Sequence, residues 1–185
     1  MRQLINSTYI SLDGVVEAPH LWPPLAGGSS GEGGQIQTDL LAGCDIVLMG
    51  RHTYDGFAPA WSARSGDPYS DRINTMRKVV VSRTLTYPAW ANTEVIAGDV
   101  AAKVRALKAE DGGDIVQYGF GDVSRLLLAE GLIDRFDWWI HPQLVGPADA
   151  ADLVSRPGTA AAFTLVASRV LSNGIILATY EVAAS

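Results

Sequence analysis

Short apolar runs, separated by glycine turns and by segments with helical spacing, organise this chain. Four consecutive apolar residues at 46–49 predict a strand buried on both faces, as in parallel sheets. Gly50 ends that run, and Thr53 and Tyr54 begin a helical pattern. The stretch therefore predicts a buried strand that passes through a glycine turn into the N-terminus of a helix.

Strand and helix patterns alternate through the middle of the chain. Strands are predicted at residues 4–12, 78–83, 93–96 and 114–118, and helices at 36–41, 70–76, 99–110 and 123–130. The alternation from residue 36 to residue 131 predicts an α/β structure with helices flanking a parallel sheet.

The C-terminal part of the chain has a different pattern. Residues 135–145, 163–171 and 175–182 are three strand-like runs, and no convincing helix separates the last two. Asn173 and Gly174 predict a type I′ turn between those two. We therefore expect a mixed sheet that is mostly parallel, with an antiparallel hairpin at its C-terminal edge.

Two irregular segments interrupt these elements, at residues 18–34 and 59–68. A long loop in a compact domain is typically a lid, a binding loop or disordered. The first segment carries Trp22 among prolines. Its ring either covers a ligand or only packs on the fold, and the sequence leaves both interpretations open.

Length, charge and cysteine content narrow the classes of protein. The 185 residues fit a single domain over 1–185. A net charge of −6 argues against a nucleic-acid or anionic-membrane partner. The single cysteine, Cys44, excludes an internal disulfide and a multi-cysteine zinc site, and we expect no metal. No segment has the roughly 18 consecutive apolar residues of a membrane span, so we expect a cytoplasmic protein.

Three predicted strand ends carry residues suited to phosphate. They are Gly50 with Arg51, Ser82 with Arg83, and the turn of Gly119, Phe120 and Gly121. A helix N-terminus presents free N–H groups, and a hydroxyl beside a guanidinium suits the ribose 2′-phosphate that distinguishes NADPH from NADH. Because ligands of open α/β sheets lie at the carboxyl ends of the strands, we expect these ends to form one groove.

Several segments resemble known reductases. Residues 47–54, Val-Leu-Met-Gly-Arg-His-Thr-Tyr, resemble a segment of dihydrofolate reductases. Residues 11–14, 126–134 and 141–146 are similar to the C-terminal reductase domain of riboflavin-biosynthesis proteins and its stand-alone relatives. The resemblance extends over about residues 4–182. It implies a dihydrofolate-reductase-like fold with an NADPH groove and an activity like that of 5-amino-6-(5-phosphoribosylamino)uracil reductase.

The resemblance also implies roles for individual residues. The cofactor phosphates would be held by Gly50, Arg51, His52 and Thr53, and the adenosine 2′-phosphate by Ser82 and Arg83. The pyrophosphate and nicotinamide would lie along Gly119, Phe120, Gly121, Asp122 and Val123. The family turn more often has a small residue where this chain has Phe120.

The substrate side departs further from dihydrofolate reductases. Those enzymes carry an acidic residue early in the helix before the Gly-Arg strand, whereas Glu32 here is expected in a loop and Asp39 too close to the strand. Dihydrofolate is therefore disfavoured as the substrate. Asp13 is the candidate proton donor or substrate anchor, although an Asp-Gly turn alone would explain it. Trp22 and Tyr54 are candidate substrate-binding residues.

We expect an NADPH-dependent reductase of a small, pteridine- or pyrimidine-like heterocycle. One alternative is a non-catalytic dimer that binds a nucleotide or other ligand, and another is a flavin-using protein. Trp138 and Trp139 point to opposite faces of a strand, so one is expected in the core and the other is available to the second copy of a homodimer. His141, before Pro142, is interpreted as structural.

Overall fold

The computed structural model describes residues 1–25, 31–157 and 159–183, and one eight-stranded sheet runs through it. The strands are β1 (Leu4–Ser11), β2 (Cys44–Gly50), β3 (Arg77–Val81), β4 (Thr93–Ile96), β5 (Asp114–Tyr118), β6 (Arg135–His141), β7 (Phe163–Val170) and β8 (Ile176–Val182). The helices are α1 (Glu32–Gly43), α2 (Arg51–Trp61), α3 (Pro68–Thr75), α4 (Val100–Ala109) and α5 (Asp122–Ala129).

The strand order across the sheet is β4-β3-β2-β5-β1-β6-β8-β7. Neighbouring strands from β4 through to β6 pair in parallel, and β8 pairs antiparallel with both β6 and β7. The predicted fold class, a mostly parallel mixed sheet with an antiparallel C-terminal hairpin, is confirmed.

The sheet separates two apolar cores. Ile46 and Leu48 of β2 face one core, which α4 and α5 cover, while Val47 and Met49 face the other, which α1, α2 and α3 cover. All four side chains are at most 2% exposed. The uninterrupted apolar run therefore marks a strand buried on both faces, as its pattern indicates.

Helix α1 is longer than its apolar pattern predicts. It begins at Glu32 and passes through Gly33, so the expectation that Glu32 lies in a loop is wrong. A Cβ on Gly33 would lie 3.4 Å from the Trp139 ring, so the missing side chain lets the first turn pack closely on the sheet. Glu32 is used in an ion pair with Arg169 and accepts a hydrogen bond from the Ser172 N–H at 3.3 Å. The rest of the predicted 18–34 loop includes a short 3-10 helix at Pro19–Leu21, and its residues 26–30 lie outside the described part of the chain.

Two further boundaries differ from the prediction. An irregular segment was expected from residue 59, but helix α2 continues through Pro59 to Trp61. The Trp61 ring packs on Tyr69, with ring centroids 4.7 Å apart. Strand β6 ends at His141 rather than at residue 145, because Pro142 follows and has no N–H to donate.

The β7–β8 hairpin does not use the predicted type I′ turn. That turn requires positive φ at both central residues, but Gly174 has φ +85° and Asn173 is not among the described residues with positive φ. The Gly174 N–H donates to Leu171 O at 2.9 Å, and the Leu171 N–H donates to Ile175 O at 2.8 Å. The connection is therefore a three-residue loop with glycine in the left-handed position.

The two adjacent tryptophans do point to opposite faces. Trp139 is 1% exposed beneath α1. Trp138 is half-buried in an aromatic cluster of its own chain, with Phe136 at 5.9 Å and Phe163 at 5.7 Å between ring centroids. Trp138 therefore packs internally instead of presenting a free ring to a partner.

Among the described residues, no helix is both long and apolar enough to cross a membrane.

Candidate functional site

The three predicted strand ends lie side by side at the carboxyl edge of the sheet. A Cβ on Gly119, after β5, would approach Thr53 Oγ1 of α2 to 3.0 Å. A Cβ on Gly50, at the end of β2, would lie 3.4 Å from Val123 of α5. Arg51 Nη1 donates to Thr84 Oγ1 beyond β3 at 3.5 Å. The ends of β3, β2 and β5 therefore form one continuous surface.

Two helices begin on this surface without a side-chain cap. The N-cap residues of α2 and α5 are Gly50 and Gly121, and neither helix has a side chain bonded to its first N–H groups. In contrast, Asp67 and Asp99 cap α3 and α4 by accepting from Ser70 N and Ala102 N. The free N–H groups and positive dipole ends of α2 and α5 are therefore available to an anion.

The Gly119 turn is fixed by buried polar side chains. Gly119 has φ +80°, a conformation that favours glycine. Its carbonyl accepts from Asn6 Nδ2 and from Ser124 Oγ, each at 2.9 Å. Asn6 is fully buried and also donates to Gln117 Oε1 at 3.0 Å. The sequence did not reveal the role of Asn6, because Gln117 and Gly119 lie more than a hundred residues away from it.

A second set of contacts braces the same turn from outside. The Phe120 side chain is 4% exposed and packs on Phe136 at 5.9 Å, so only its backbone is available to a ligand. Arg125 donates to Phe120 O at 3.1 Å and to Leu153 O at 2.8 Å. Arg156 donates to the exposed Asp122 carboxylate at 3.0 Å. Phe120 therefore shapes the turn by filling the core beneath it.

Arg51 and His52 occupy the first turn of α2. Arg51 Nε lies 2.8 Å from both carboxylate oxygens of Asp55, and its side chain is 40% exposed. His52 is exposed, and its Nδ1 lies 3.5 Å from Glu17 Oε1. A phosphate at this helix end would compete with Asp55 for the Arg51 guanidinium.

Ser82 and Arg83 follow β3 directly. The buried Ser82 hydroxyl accepts from Thr84 N at 3.2 Å and from Leu85 N at 3.0 Å, so it holds the turn after the strand. Arg83 is exposed, and its guanidinium has no ion-pair partner among the described residues. Arg83 is therefore the freer of the two to meet a ligand phosphate.

Asp13 connects the end of β1 to the segment after β6. Its carboxylate accepts from Ser11 Oγ at 2.5 Å and from the N–H groups of Val145 at 3.2 Å and Gly146 at 2.7 Å. The Ser11 hydroxyl, followed by these backbone donors, lowers the pKa of Asp13 to about 2. A carboxyl group with that pKa is ionised at neutral pH, so this geometry supports a structural anchor rather than a proton donor.

The two candidate substrate residues lie in different places. Tyr54 lies on the buried face of α2 and is only 4% exposed. Its phenol oxygen accepts a hydrogen bond from Trp90 N at 3.2 Å, so its role is in packing. Tyr54 contributes to a groove of about 340 Å³ between α2 and the segment that follows β3, and no residue of β1 or β6 lines this groove. Trp22 is 8% exposed and packs edge-on against His141, with centroids 5.3 Å apart. Trp22 therefore lies at the end of β6.

The α1 face of the sheet beside these strand ends is aromatic and polar. Tyr9 of β1 packs on His141 with ring centroids 4.8 Å apart. Tyr118 donates to Gln37 Oε1 at 3.2 Å, and Gln37 Nε2 donates to Ser7 Oγ at 3.2 Å. The sequence gives no sign that these residues meet, because they come together only through the packing of α1 on the sheet.

The described residues contain no group of three or more histidine, cysteine, aspartate or glutamate side chains placed to hold a metal ion. The mostly parallel eight-stranded sheet with its antiparallel C-terminal hairpin is a dihydrofolate-reductase-like fold. Residues 2–177 match the family model described as the RibD C-terminal domain, and the chain belongs to that family.

Individual relatives agree with this placement. The Bacillus subtilis (strain 168) protein YyaP, whose name carries no function, is 24% identical over 198 residues that cover 97% of this chain and 95% of YyaP. A solved structure from Shewanella sp. PV-4, assigned by name to riboflavin biosynthesis, superposes with a TM-score of 0.72 at 20% identity and covers 98% of this chain and 99% of its own. A pyrimidine reductase-like protein from Corynebacterium diphtheriae gives 0.74 at 15% identity and covers 100% and 93%. At these identities the two structures establish the fold alone.

Proposed function

We propose that this protein is an NADPH-dependent reductase of a small heterocyclic substrate. The observation that carries the proposal is the surface formed by the uncapped N-termini of α2 and α5, with the Gly119 turn between them. Such a surface is suited to a pyrophosphate, because free N–H groups and two helix dipoles point at one place.

The residues at this surface fit a dinucleotide. A Cβ on Gly121 would meet no atom within 4 Å, so backbone N–H groups here are open to close approach by a ligand. Arg51 adds a cation beside the α2 N-terminus, and the exposed Arg83 one strand further out suits a 2′-phosphate. When bound, NADPH supplies the hydride, and the protein supplies position and electrostatics.

Because the cofactor supplies the hydride, the reaction does not require a strongly basic or acidic catalytic pair among the described residues. The chain must orient a ring substrate against the cofactor and exclude water. Trp22, Tyr9 and His141 form an apolar and aromatic wall at the ends of β1 and β6, next to the cofactor surface. These residues are suited to positioning rather than to chemistry of their own.

The test is an assay of nicotinamide oxidation with pyrimidine- and pteridine-type acceptors. We expect NADPH to be oxidised by at least one acceptor, with the rate reduced at least tenfold when Arg51 is replaced by Ala, because about 1.5–3 kcal/mol of charge-assisted bonding is lost. Stoichiometric NADPH binding without oxidation by any acceptor would favour the non-catalytic alternative instead. A bound chromophore with flavin absorbance would favour the flavin-using one.

We also propose that two copies of the chain pair through β7. This strand forms the edge of the sheet, and all its residues except Phe163 are exposed, including Leu165, Val166 and Val170. An uncovered apolar edge strand favours association. The one charged residue of β7, Arg169, is already paired with Glu32, so two copies would meet without repulsion between like charges.

Light scattering should give a dimer that Val166→Lys converts to a monomer; a wild-type monomer would contradict the proposal.

A further inference from the structure

Two successive carbonyl groups of the turn after β5 are held by side chains. The Gly119 carbonyl accepts hydrogen bonds from Asn6 Nδ2 and from Ser124 Oγ, each at 2.9 Å. The Phe120 carbonyl accepts from Arg125 Nη1 at 3.1 Å. Asn6 belongs to β1, and Ser124 and Arg125 belong to α5, so the turn is fixed by the strand on one side and the helix on the other.

These contacts also determine where two N–H groups point. In a planar trans peptide, the carbonyl and the N–H that follows it point in opposite directions. Because the Gly119 carbonyl is directed at Asn6, the Phe120 N–H points away from Asn6. Because the Phe120 carbonyl is directed at Arg125, the Gly121 N–H points away from Arg125. Neither N–H donates a hydrogen bond to another described residue.

The first turn of α5 continues this row of N–H groups. Helix α5 begins at Asp122, directly after Gly121, and no side chain caps it. The N–H groups of a first helical turn have no acceptor within the helix. From Phe120 to Ser124, the N–H groups are therefore without a partner in the described part of the chain. A displaced carbonyl at either end of the turn would change the direction of the first two.

The Asn6 amide is held in one orientation by its partners. The Gly119 oxygen can only accept, so the amide group that faces it is Nδ2, which also donates to Gln117 Oε1 at 3.0 Å. Asn6 Oδ1 accepts from the Thr8 hydroxyl at 2.7 Å. Asn6 is fully buried, and both ends of its amide are satisfied. A buried and fully bonded network of this kind is rigid, as a fixed carbonyl requires.

Arg125 connects the same turn to the segment before β7. Its Nη2 donates to Leu153 O at 2.8 Å, while the guanidinium carbon lies 4.9 Å from the centroid of the Phe120 ring. Both terminal nitrogens of Arg125 thus bond carbonyl groups of the chain. Its effect on a ligand is therefore exerted through the turn and not through a direct contact.

We propose that Asn6, Ser124 and Arg125 are positioning residues for the pyrophosphate of the cofactor. They hold the Gly119 and Phe120 carbonyls away from the ligand, and in doing so they direct the free N–H groups of the turn towards it. The identity of the ligand rests on the proposed reductase function, but the positioning role does not depend on turnover.

Two buried serines provide a matched pair of variants. Ser124 is the third residue of α5 and Ser70 the third residue of α3, and each is at most 1% exposed. Each hydroxyl donates to a backbone carbonyl that precedes its helix, Gly119 O for Ser124 and Asp67 O for Ser70. We expect Ser124→Ala to weaken NADP⁺ binding about threefold to tenfold, as the loss of one hydrogen bond implies, and Ser70→Ala to leave it unchanged. Equal NADP⁺ affinities in the two variants would overturn the positioning role of Ser124.

The arginine is tested with a conservative variant beside a disruptive one. Arg125→Met keeps the length of the side chain and removes its donors, so NADP⁺ should bind about tenfold more weakly. Arg125→Lys keeps one charged donor and should recover part of the affinity. Arg105→Met, which removes an exposed arginine paired with Glu130, should change nothing. Weaker binding in Arg105→Met equal to that in Arg125→Met would contradict the assignment.

Binding of 2′-AMP separates a displaced turn from a damaged protein. This ligand carries the adenosine and the 2′-phosphate without the pyrophosphate, so calorimetry should give it wild-type affinity in Ser124→Ala and Arg125→Met. Equal losses for 2′-AMP and NADP⁺, or wild-type NADP⁺ affinity in both variants, would overturn the proposal. A wild-type protein that binds NADP⁺ but oxidises NADPH with no acceptor would reject the reductase and leave the positioning role standing, whereas one that does not bind NADP⁺ would overturn both.

Discussion

The two glycines of the turn after β5 provide a matched test of the cofactor surface. A side chain at Gly119 should destabilise the fold, whereas a side chain at Gly121 should only obstruct the ligand. Gly119 has φ +80°, and a Cβ there would lie 3.0 Å from Thr53 Oγ1. A left-handed conformation costs an alanine about 1–2 kcal/mol, and the tight contact adds up to about 1 kcal/mol. Gly121→Ala places its methyl in open space at φ −104°, a conformation that any residue adopts. We therefore expect Gly119→Ala to lower the free energy of unfolding by about 1–3 kcal/mol and Gly121→Ala to leave it within about 0.5 kcal/mol.

Binding should separate the same two variants in the opposite sense. If the pyrophosphate rests on this turn, the Gly121→Ala methyl fills space that the ligand needs, and NADPH should bind at least tenfold more weakly although the protein is as stable as the wild type. Urea denaturation and calorimetric titration of the two variants measure both quantities. Wild-type NADPH affinity in Gly121→Ala, or wild-type stability in Gly119→Ala, would refute the reasoning about this turn.

Three further predictions concern the scaffold. Gly112→Ala should lower the free energy of unfolding by about 2–4 kcal/mol, because its Cβ would overlap the buried Arg2 guanidinium. Gly66→Ala, also at positive φ but in open space, should lower it by only about 1 kcal/mol. Denaturant titrations measure both values. Burial lowers the pKa of Lys78 from 10.5 to about 8, so the unfolded chain binds more protons between those values and stability should rise with pH there. With allowance for solvent screening, the rise is about 1–3 kcal/mol, and Lys78→Met should abolish it; a parallel pH dependence in both proteins would contradict this. The lowered pKa of Asp13, about 2 against 3.8, means that its stabilising bonds persist above pH 4 and are lost as pH falls towards 2, so Asp13→Asn should flatten the acid unfolding curve in that window.

Much of the fold was predictable because the signals are local. The apolar run of β2 indicates burial on both faces, and the glycines after β2 and β5 mark the turns into helices. The parallel order then brings the ends of β3, β2 and β5 together, as open α/β sheets require. The predicted loop before α1 was too long because Gly33 sits in a helix, where its value is close packing on Trp139 rather than flexibility.

The parts that could not be predicted depend on contacts distant in sequence. Tyr54 was a candidate substrate-binding residue, but its hydroxyl accepts a hydrogen bond from the Trp90 N–H, 36 residues away. In the sequence, Asn6 is only a polar residue within a predicted strand. Its role follows from the hydrogen bond that its side chain donates to the Gly119 carbonyl. His141 was interpreted as structural, and only its packing between Tyr9 and Trp22 shows that its nitrogens are buried without partners.

The most direct measurement of the central claim is the titration of the purified protein with NADPH and, separately, with NADH. We expect NADPH to bind at least about tenfold more tightly, since charge-assisted bonds to the 2′-phosphate contribute about 1.5–3 kcal/mol. Arg83→Ala should remove that preference, while Arg64→Ala, at an exposed arginine packed on Trp61, should retain it. Binding of neither cofactor, or a preference that survives Arg83→Ala, would contradict the account of the groove.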